Sequence, residues 1–203
     1  MLDRAAQALI APWLRRAAAV LARQGVAADS VTWLGFGLGL SGSALIVAGQ
    51  PGWALAWLVA SRLADGLDGA LARHTQPTDR GAFLDVTLDF LFYASVPLSF
   101  ALADPAANAL AAAVLLAAFM GTGSSFLAYA VLAERRGLSS LVFPDKGLYY
   151  LGGLTEATET LACFAAMCLW PALFAPLALG FAALCGLTTV ARVHAGWHCF
   201  GGR

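Results

Sequence analysis

The chain has 203 residues, 60% of them hydrophobic and only 12% charged, with a formal net charge of zero. Soluble domains carry roughly twice that charged fraction, so the composition excludes an ordinary water-soluble globule and predicts one integral membrane domain over residues 1–203. The neutral balance gives no field for nucleic acid, and Cys163, Cys168, Cys185 and Cys199 contain no CxxC pair that would announce zinc or a disulfide framework.

Residues 2–24 predict an amphipathic helix. Leu2, Leu9, Ile10, Trp13, Leu14 and Leu21 supply its apolar side and Arg4, Arg15, Arg16 and Arg23 its basic side. Such a helix is expected to lie on the membrane surface, with arginines among anionic headgroups. Pro12 is expected to interrupt or kink it. The apolar run before the first span is too short and broken to read as a signal peptide.

Six apolar stretches follow, at about 31–49, 53–73, 82–103, 106–133, 148–169 and 171–193. Each is near the ~20 residues that cross hydrocarbon. Gln50-Pro51-Gly52, Asp104-Pro105 and Trp170-Pro171 punctuate three junctions. The predicted fold is therefore all-α, with six transmembrane helices and an N-terminal juxtamembrane helix. Eleven of the twelve Lys and Arg residues fall on one side of this layout, the twelfth being Arg62 within the second span. By the positive-inside rule that side is cytoplasmic and holds both termini. The expected location is the bacterial inner membrane.

Gly35, Gly39 and Ser43 form a small-xxx-small ridge on the first span, suited to close helix contact. Gly121-Thr122-Gly123-Ser124-Ser125 in the fourth span reads as packing and interhelical hydrogen bonding, or as the lining of a polar cavity.

Between these spans lies a stretch with four aspartates, Asp65, Asp68, Asp85 and Asp89. The first two are i,i+3 and the last two i,i+4, so each pair shares a helical face. Carboxylates are costly near hydrocarbon and repel one another unless cations join them. The second and third spans, joined by a short loop, are expected to pack antiparallel and to bring the four acids together near the cytoplasmic interface. All-oxygen ligands favour Mg²⁺ or Mn²⁺, and two ions about 4 Å apart are the usual clamp for phosphoryl transfer. Gly69 and Ala72 remove bulk beside the acids, and Arg73 suits a phosphate. Salt bridges from the acids to Arg62, Arg73 and Arg80 are the structural alternative.

The pattern Asp65-x2-Asp68-Gly69-x2-Ala72-Arg73-x7-Gly81-x3-Asp85-x3-Asp89 closely resembles the signature of the CDP-alcohol phosphotransferases, six-helix membrane enzymes of phospholipid synthesis. One feature departs from the family: its spacer before the second glycine is usually eight residues, and here it is seven. The resemblance implies that Asp65 and Asp85 are shared by two metal ions, that Asp68 and Asp89 complete one site each, and that Asp89 is the general base. It implies donor contacts from Gly69, Ala72 and Arg73. Asp29-Ser30-Val31-Thr32 resembles the family's lead-in to the first span, which also touches the nucleotide, although Asp29 stands where Asn is common. Thr78 is a further donor candidate in the shortened loop. The implied reaction is transfer of the phosphatidyl group from CDP-diacylglycerol to an acceptor alcohol, with release of CMP. Homodimerisation is implied by the resemblance alone.

The motif does not name the acceptor. Lys146 and Arg192, each adjoining a span, are candidates for an acceptor phosphate. Glu156 and Glu159, three residues apart at the start of the fifth span, are expected to face the bundle interior. There they either recognise acceptor hydroxyls or an amine, or serve as structural hydrogen-bonding groups, for example with Arg192 or Arg62. Two other activities fit the same residues, transfer involving a soluble CDP-alcohol and transport of a divalent cation.

Overall fold

The computed structural model describes residues 2–137 and 155–201, with side chains from residue 10 onward. These residues form seven α-helices: α1 Leu2–Arg23, α2 Ala28–Val47, α3 Pro51–His74, α4 Asp79–Ala103, α5 Pro105–Arg135, α6 Ala157–Leu169 and α7 Phe174–Phe200, with a 3-10 turn at Pro171–Leu173. Four segments are long and apolar enough to cross a membrane: α2, α4, α5 and the stretch from Pro171 through α7. α3 matches them in length, but Arg62, Asp65, Asp68 and Arg73 interrupt its apolar character.

The helix boundaries follow local chemistry. Pro51 and Pro105 occupy first-turn positions, where a missing N–H costs nothing. Asp104 caps α5 by accepting from the Ala107 N–H at 3.1 Å. Gly49 closes α2 at φ +75°, a conformation that side chains with a Cβ resist, and its N–H reaches the Ile46 carbonyl at 2.9 Å. In α1, by contrast, the helix continues through Pro12 where the sequence predicts a break. Pro12 itself is exposed.

α1 does more than lie on a surface. It packs on α3 and α6, and its Ala18 is buried with Val31, Ala70 and Leu71. Gly66 of α3 lets Leu14 approach, since a Cβ there would stand 3.0 Å from the leucine Cδ1.

The largest departure from expectation concerns α3 and α4. They are not among the closely packed helix pairs; α2 packs against both and lies between them. The small-residue ridge explains this. A Cβ on Gly35 would meet Ala64 Cβ at 3.1 Å, and one on Gly42 would meet the Ala54 carbonyl at 3.2 Å, so α2 lies against the α3 backbone. Toward α4, a Cβ on Gly39 would reach Phe92 at 2.5 Å, and Ser43 shares a 2.8 Å hydrogen bond with Ser95. The chain therefore leaves a cleft between α3 and α4, floored by α2.

Phe92 is fully buried and has no room to retreat. Gly39→Ala is accordingly expected to cost about 1–3 kcal/mol through overpacking, read as a lower thermal midpoint in detergent. Gly37→Ala, in the same helix and meeting nothing within 4 Å, is the matched control and should leave the midpoint unchanged or raise it slightly, since alanine favours the helix.

The main core fills one end of the bundle. Ile46, Ala54, Leu58, Phe92, Val96, Phe100, Leu115, Phe164 and Phe174 belong to one cluster, with Phe100 and Phe174 stacked at 4.5 Å. At the opposite end, the start of α2, the end of α3 and the start of α4 carry the acidic motif. In the polar stretch of α5, Gly121 and Gly123 give close approach to Thr189 and Phe90. The hydroxyls of Thr122, Ser124 and Ser125 donate back to carbonyls of their own helix. Packing accounts for that stretch, with one interhelical hydrogen bond, from Arg192 of α7 to the Thr122 carbonyl.

Candidate active site

Asp65, Asp68, Asp85 and Asp89 line a single narrow cavity, together with Thr32, Gly35, Phe36, Arg62 and Leu88. The helical period explains the convergence. Asp65 and Asp68 follow one face of α3, Asp85 and Asp89 one face of α4, and the two faces meet across the cleft above α2. The approach of α2 at Gly35 adds Thr32 and Phe36 to the wall. The cavity is only about 10 Å³, room for about one water.

Arg62 fills much of the remaining space. Its Nη1 donates to Asp89 Oδ1 and lies 3.4 Å from Asp65 Oδ1. The guanidinium carbon sits 3.8 Å over the Phe92 ring and 5.7 Å from that of Tyr93. Sequence reasoning counted Arg62 as one possible partner of the acids and did not place it in the site. Its i,i+3 spacing to Asp65 was the available signal; the aromatic platform, contributed by α4, appears only in three dimensions.

The other arginines do not share this position. Arg80 pairs with Asp29, its Nε at 2.8 Å and Nη2 at 2.6 Å from Oδ2, tying the start of α4 to the start of α2. Arg80 is largely exposed, so this pair contributes at most about 1 kcal/mol. Arg73 folds back over Gly69, where a Cβ would lie 3.3 Å from its Nη1. Gly69, Ala72 and Arg73 thus stand at the end of α3 beyond the cavity wall. Thr78 caps α4, accepting from the Gly81 N–H at 3.0 Å.

Of the acceptor candidates, Lys146 lies outside the described residues. Arg192 is only 8% exposed; its Nη1 donates to the Thr122 carbonyl at 2.9 Å and its guanidinium carbon lies 5.6 Å from the Phe126 ring. Glu156 and Glu159 form a capping box at the start of α6: each side chain accepts from the other residue's backbone N–H, with Glu156 N to Glu159 Oε2 at 3.1 Å. Glu156 is therefore the N-cap, outside the helix on which the i,i+3 reading placed it. Both residues are half-buried. Next to the cap, Thr155 donates to Thr188 Oγ1 at 3.0 Å, joining α6 to α7.

The donor set suits a hard divalent cation. It is all oxygen, it is strongly anionic, and Asp68 is 4% exposed with an Oδ2 that has no hydrogen-bond partner among the described residues. A buried carboxylate oxygen left so is costly unless a cation or water completes it. No three acidic, His or Cys side chains among the described residues are already drawn into a ligand cluster, and Arg62 stands between two of the aspartates.

The model of the CDP-alcohol phosphatidyltransferase family matches residues 25–193, a range that includes the whole motif. The chain belongs to the CDP-alcohol phosphatidyltransferase family. Family membership makes it a membrane phosphotransferase whose chemistry is phosphatidyl transfer in phospholipid synthesis. The chain is also 49% identical, over 197 residues, to the inner membrane protein YnjF of Escherichia coli, covering 97% of this chain and 96% of that protein. Among solved structures it resembles phosphatidylinositol phosphate synthase (PgsA1) of Mycobacterium tuberculosis. With CDP-DAG bound, that enzyme superposes with a TM-score of 0.71 at 24% identity, covering 91% of this chain and 93% of that one. Its complex with manganese and citrate gives the same TM-score and identity, covering 91% and 88%. At this identity the likeness establishes a shared fold.

Proposed function

We propose that the protein transfers the phosphatidyl group of CDP-diacylglycerol to an acceptor alcohol and releases CMP. The observation that carries this reading is the convergence of Asp65, Asp68, Asp85 and Asp89 with Thr32 on one cavity at the polar end of an apolar bundle. The CDP-DAG and manganese complexes of the mycobacterial relative support the donor and a divalent metal.

In this reading Asp65 and Asp85 are ligands shared by two divalent ions, with Asp68 completing one site and Asp89 the other. When bound, those ions neutralise the pyrophosphate and stabilise the departing phosphate charge. Thr32 orients the donor from inside the cavity. Gly69, Ala72 and Arg73 face the cytidine diphosphate at the end of α3, and Asp29 and Thr78 shape the neighbouring rim. Asp89 takes the proton of the acceptor hydroxyl as its oxygen bonds to the β-phosphorus; the bond from that phosphorus to CMP breaks, and the electron pair leaves with CMP. Arg192, with Lys146, holds an acceptor phosphate.

Six membrane crossings follow if α3, and the segment that includes α6, also span the bilayer. Four chain segments already have the required length and apolarity. The excess of basic residues on the motif-bearing side of that layout supports a cytoplasmic site and cytoplasmic termini. The 49% identity to an Escherichia coli inner membrane protein supports that membrane as the location. A donor with acyl tails in lipid and a nucleotide in water suits a site at this depth.

The test is CMP release from CDP-diacylglycerol by the purified protein with Mg²⁺ or Mn²⁺, across glycerol 3-phosphate, inositol phosphate, inositol and serine. Release that depends on one acceptor supports the reading; none with any acceptor sinks it. A companion variant addresses the glutamates. Gln also closes a capping box, so Glu159→Gln removes charge while keeping the cap. Because the cap accounts for both side chains, the ranking of acceptors should not change, and a changed ranking would restore a recognition role.

A further inference from the structure

Arg62 contacts two of the carboxylates to which metal binding is assigned above, and it does so from within an apolar helix. Its side chain is 12% exposed and rests on Phe92, with Tyr93 alongside. It also bridges α3 and α4 where their backbones do not pack closely. A guanidinium and a divalent ion cannot share the same carboxylate oxygens at contact distance, because the cations repel and the lone-pair directions are taken. The arginine is not locked in place, either. Among the described residues, Nη1 alone makes both carboxylate contacts, Nη2 reaches Ser61 Oγ at a long 3.4 Å, and Nε is buried without a hydrogen-bond partner. A permanent buried ion pair satisfies its remaining donors; this one does not.

We propose that Arg62 is a built-in counter-cation of the metal site. It holds Asp65 and Asp89 together before metal binds, and it must leave Asp89 for the carboxylate to ligate an ion or accept a proton. Arg62 is thus a positioning residue that weakens metal affinity and, in exchange, keeps the acidic cleft assembled without metal. This inference rests on the metal-site reading above.

The experiment titrates Mn²⁺, detected by electron paramagnetic resonance, into wild type, Arg62→Met and Arg62→Lys, and follows thermal unfolding in EDTA and in Mn²⁺. Arg62→Met is expected to bind Mn²⁺ at least about tenfold more tightly, equivalent to about 1.4 kcal/mol. It should unfold at a lower temperature than wild type in EDTA and gain more from Mn²⁺, as linkage requires of a tighter ligand. Lysine keeps the charge but loses the planar guanidinium that rests on Phe92 and holds it against the two carboxylates, so Arg62→Lys should also bind more tightly than wild type, by less than Arg62→Met. It carries the test if the methionine variant does not fold. Equal or weaker Mn²⁺ affinity in the variants would overturn the proposal, since a purely structural arginine would lower the midpoint equally with and without metal. Failure of every protein, wild type included, to bind Mn²⁺ would overturn the metal-site reading and this proposal together.

Discussion

Asp89→Asn is expected to lower the rate of CMP release by about 10²–10⁴-fold, the usual contribution of a general base, and by more if the lost metal contact adds to it. Asparagine matches aspartate in shape, so the packing of α4 beside Phe92 should survive. Its amide oxygen can still accept from Arg62, which keeps the bridge between α3 and α4 in part. What disappears is the negative charge and the capacity to take a proton. CDP-lipid binding should therefore be largely retained, because Thr32, Gly69 and Arg73 are untouched. Initial rates of CMP formation, beside equilibrium binding of CDP-diacylglycerol, separate the two effects. Full turnover in Asp89→Asn would remove it from the chemistry.

Asp68→Asn is expected to act on the metal. Asp68 is the most buried of the four acids, and its Oδ2 lacks a hydrogen-bond partner among the described residues. Replacing even an outer-shell partner of a metal site costs 10–100-fold in affinity or activity, so loss of a direct ligand should weaken Mn²⁺ binding by at least about 100-fold. Turnover should fall with it. Stability in EDTA is expected to hold or rise, since one of four mutually repelling charges is removed. Wild-type Mn²⁺ affinity in this variant would show that Asp68 is not a ligand.

The two predictions draw on different parts of the sequence's legibility. Asp65, Asp68, Asp85 and Asp89 could be read directly, because i,i+3 and i,i+4 spacings fix a shared helical face whatever the tertiary fold. The helices could be read nearly as well, since Pro51, Pro105 and Asp104 mark their starts in local chemistry. Packing partners could not. A short loop between α3 and α4 suggests neighbours, yet the ridge at Gly35, Gly39 and Ser43 lets α2 occupy the place between them. That ridge was visible in the sequence, but not which helices it would face.

Arg62 and Glu159 show the same limit. An arginine in an apolar span has several ordinary explanations, and only the fold sets its guanidinium on Phe92 between Asp65 and Asp89. Glu159 at the third helical position is a local capping signal, but one usually recognised behind Ser or Thr; here Glu156 takes the cap position. The acceptor remains the part least written in local pattern, because Arg192 reaches α5 from α7 through a contact seventy residues apart in sequence.

The central claim is most directly tested by reconstituting the purified protein in liposomes containing CDP-diacylglycerol, with Mn²⁺ and the acceptor panel, and quantifying CMP and new phospholipid together. Equimolar CMP and phosphatidyl product, dependent on metal and acceptor and absent in Asp89→Asn, is the expected result. Turnover confined to a soluble CDP-alcohol, or Mn²⁺ accumulating in the liposomes with no CMP formed, would contradict it.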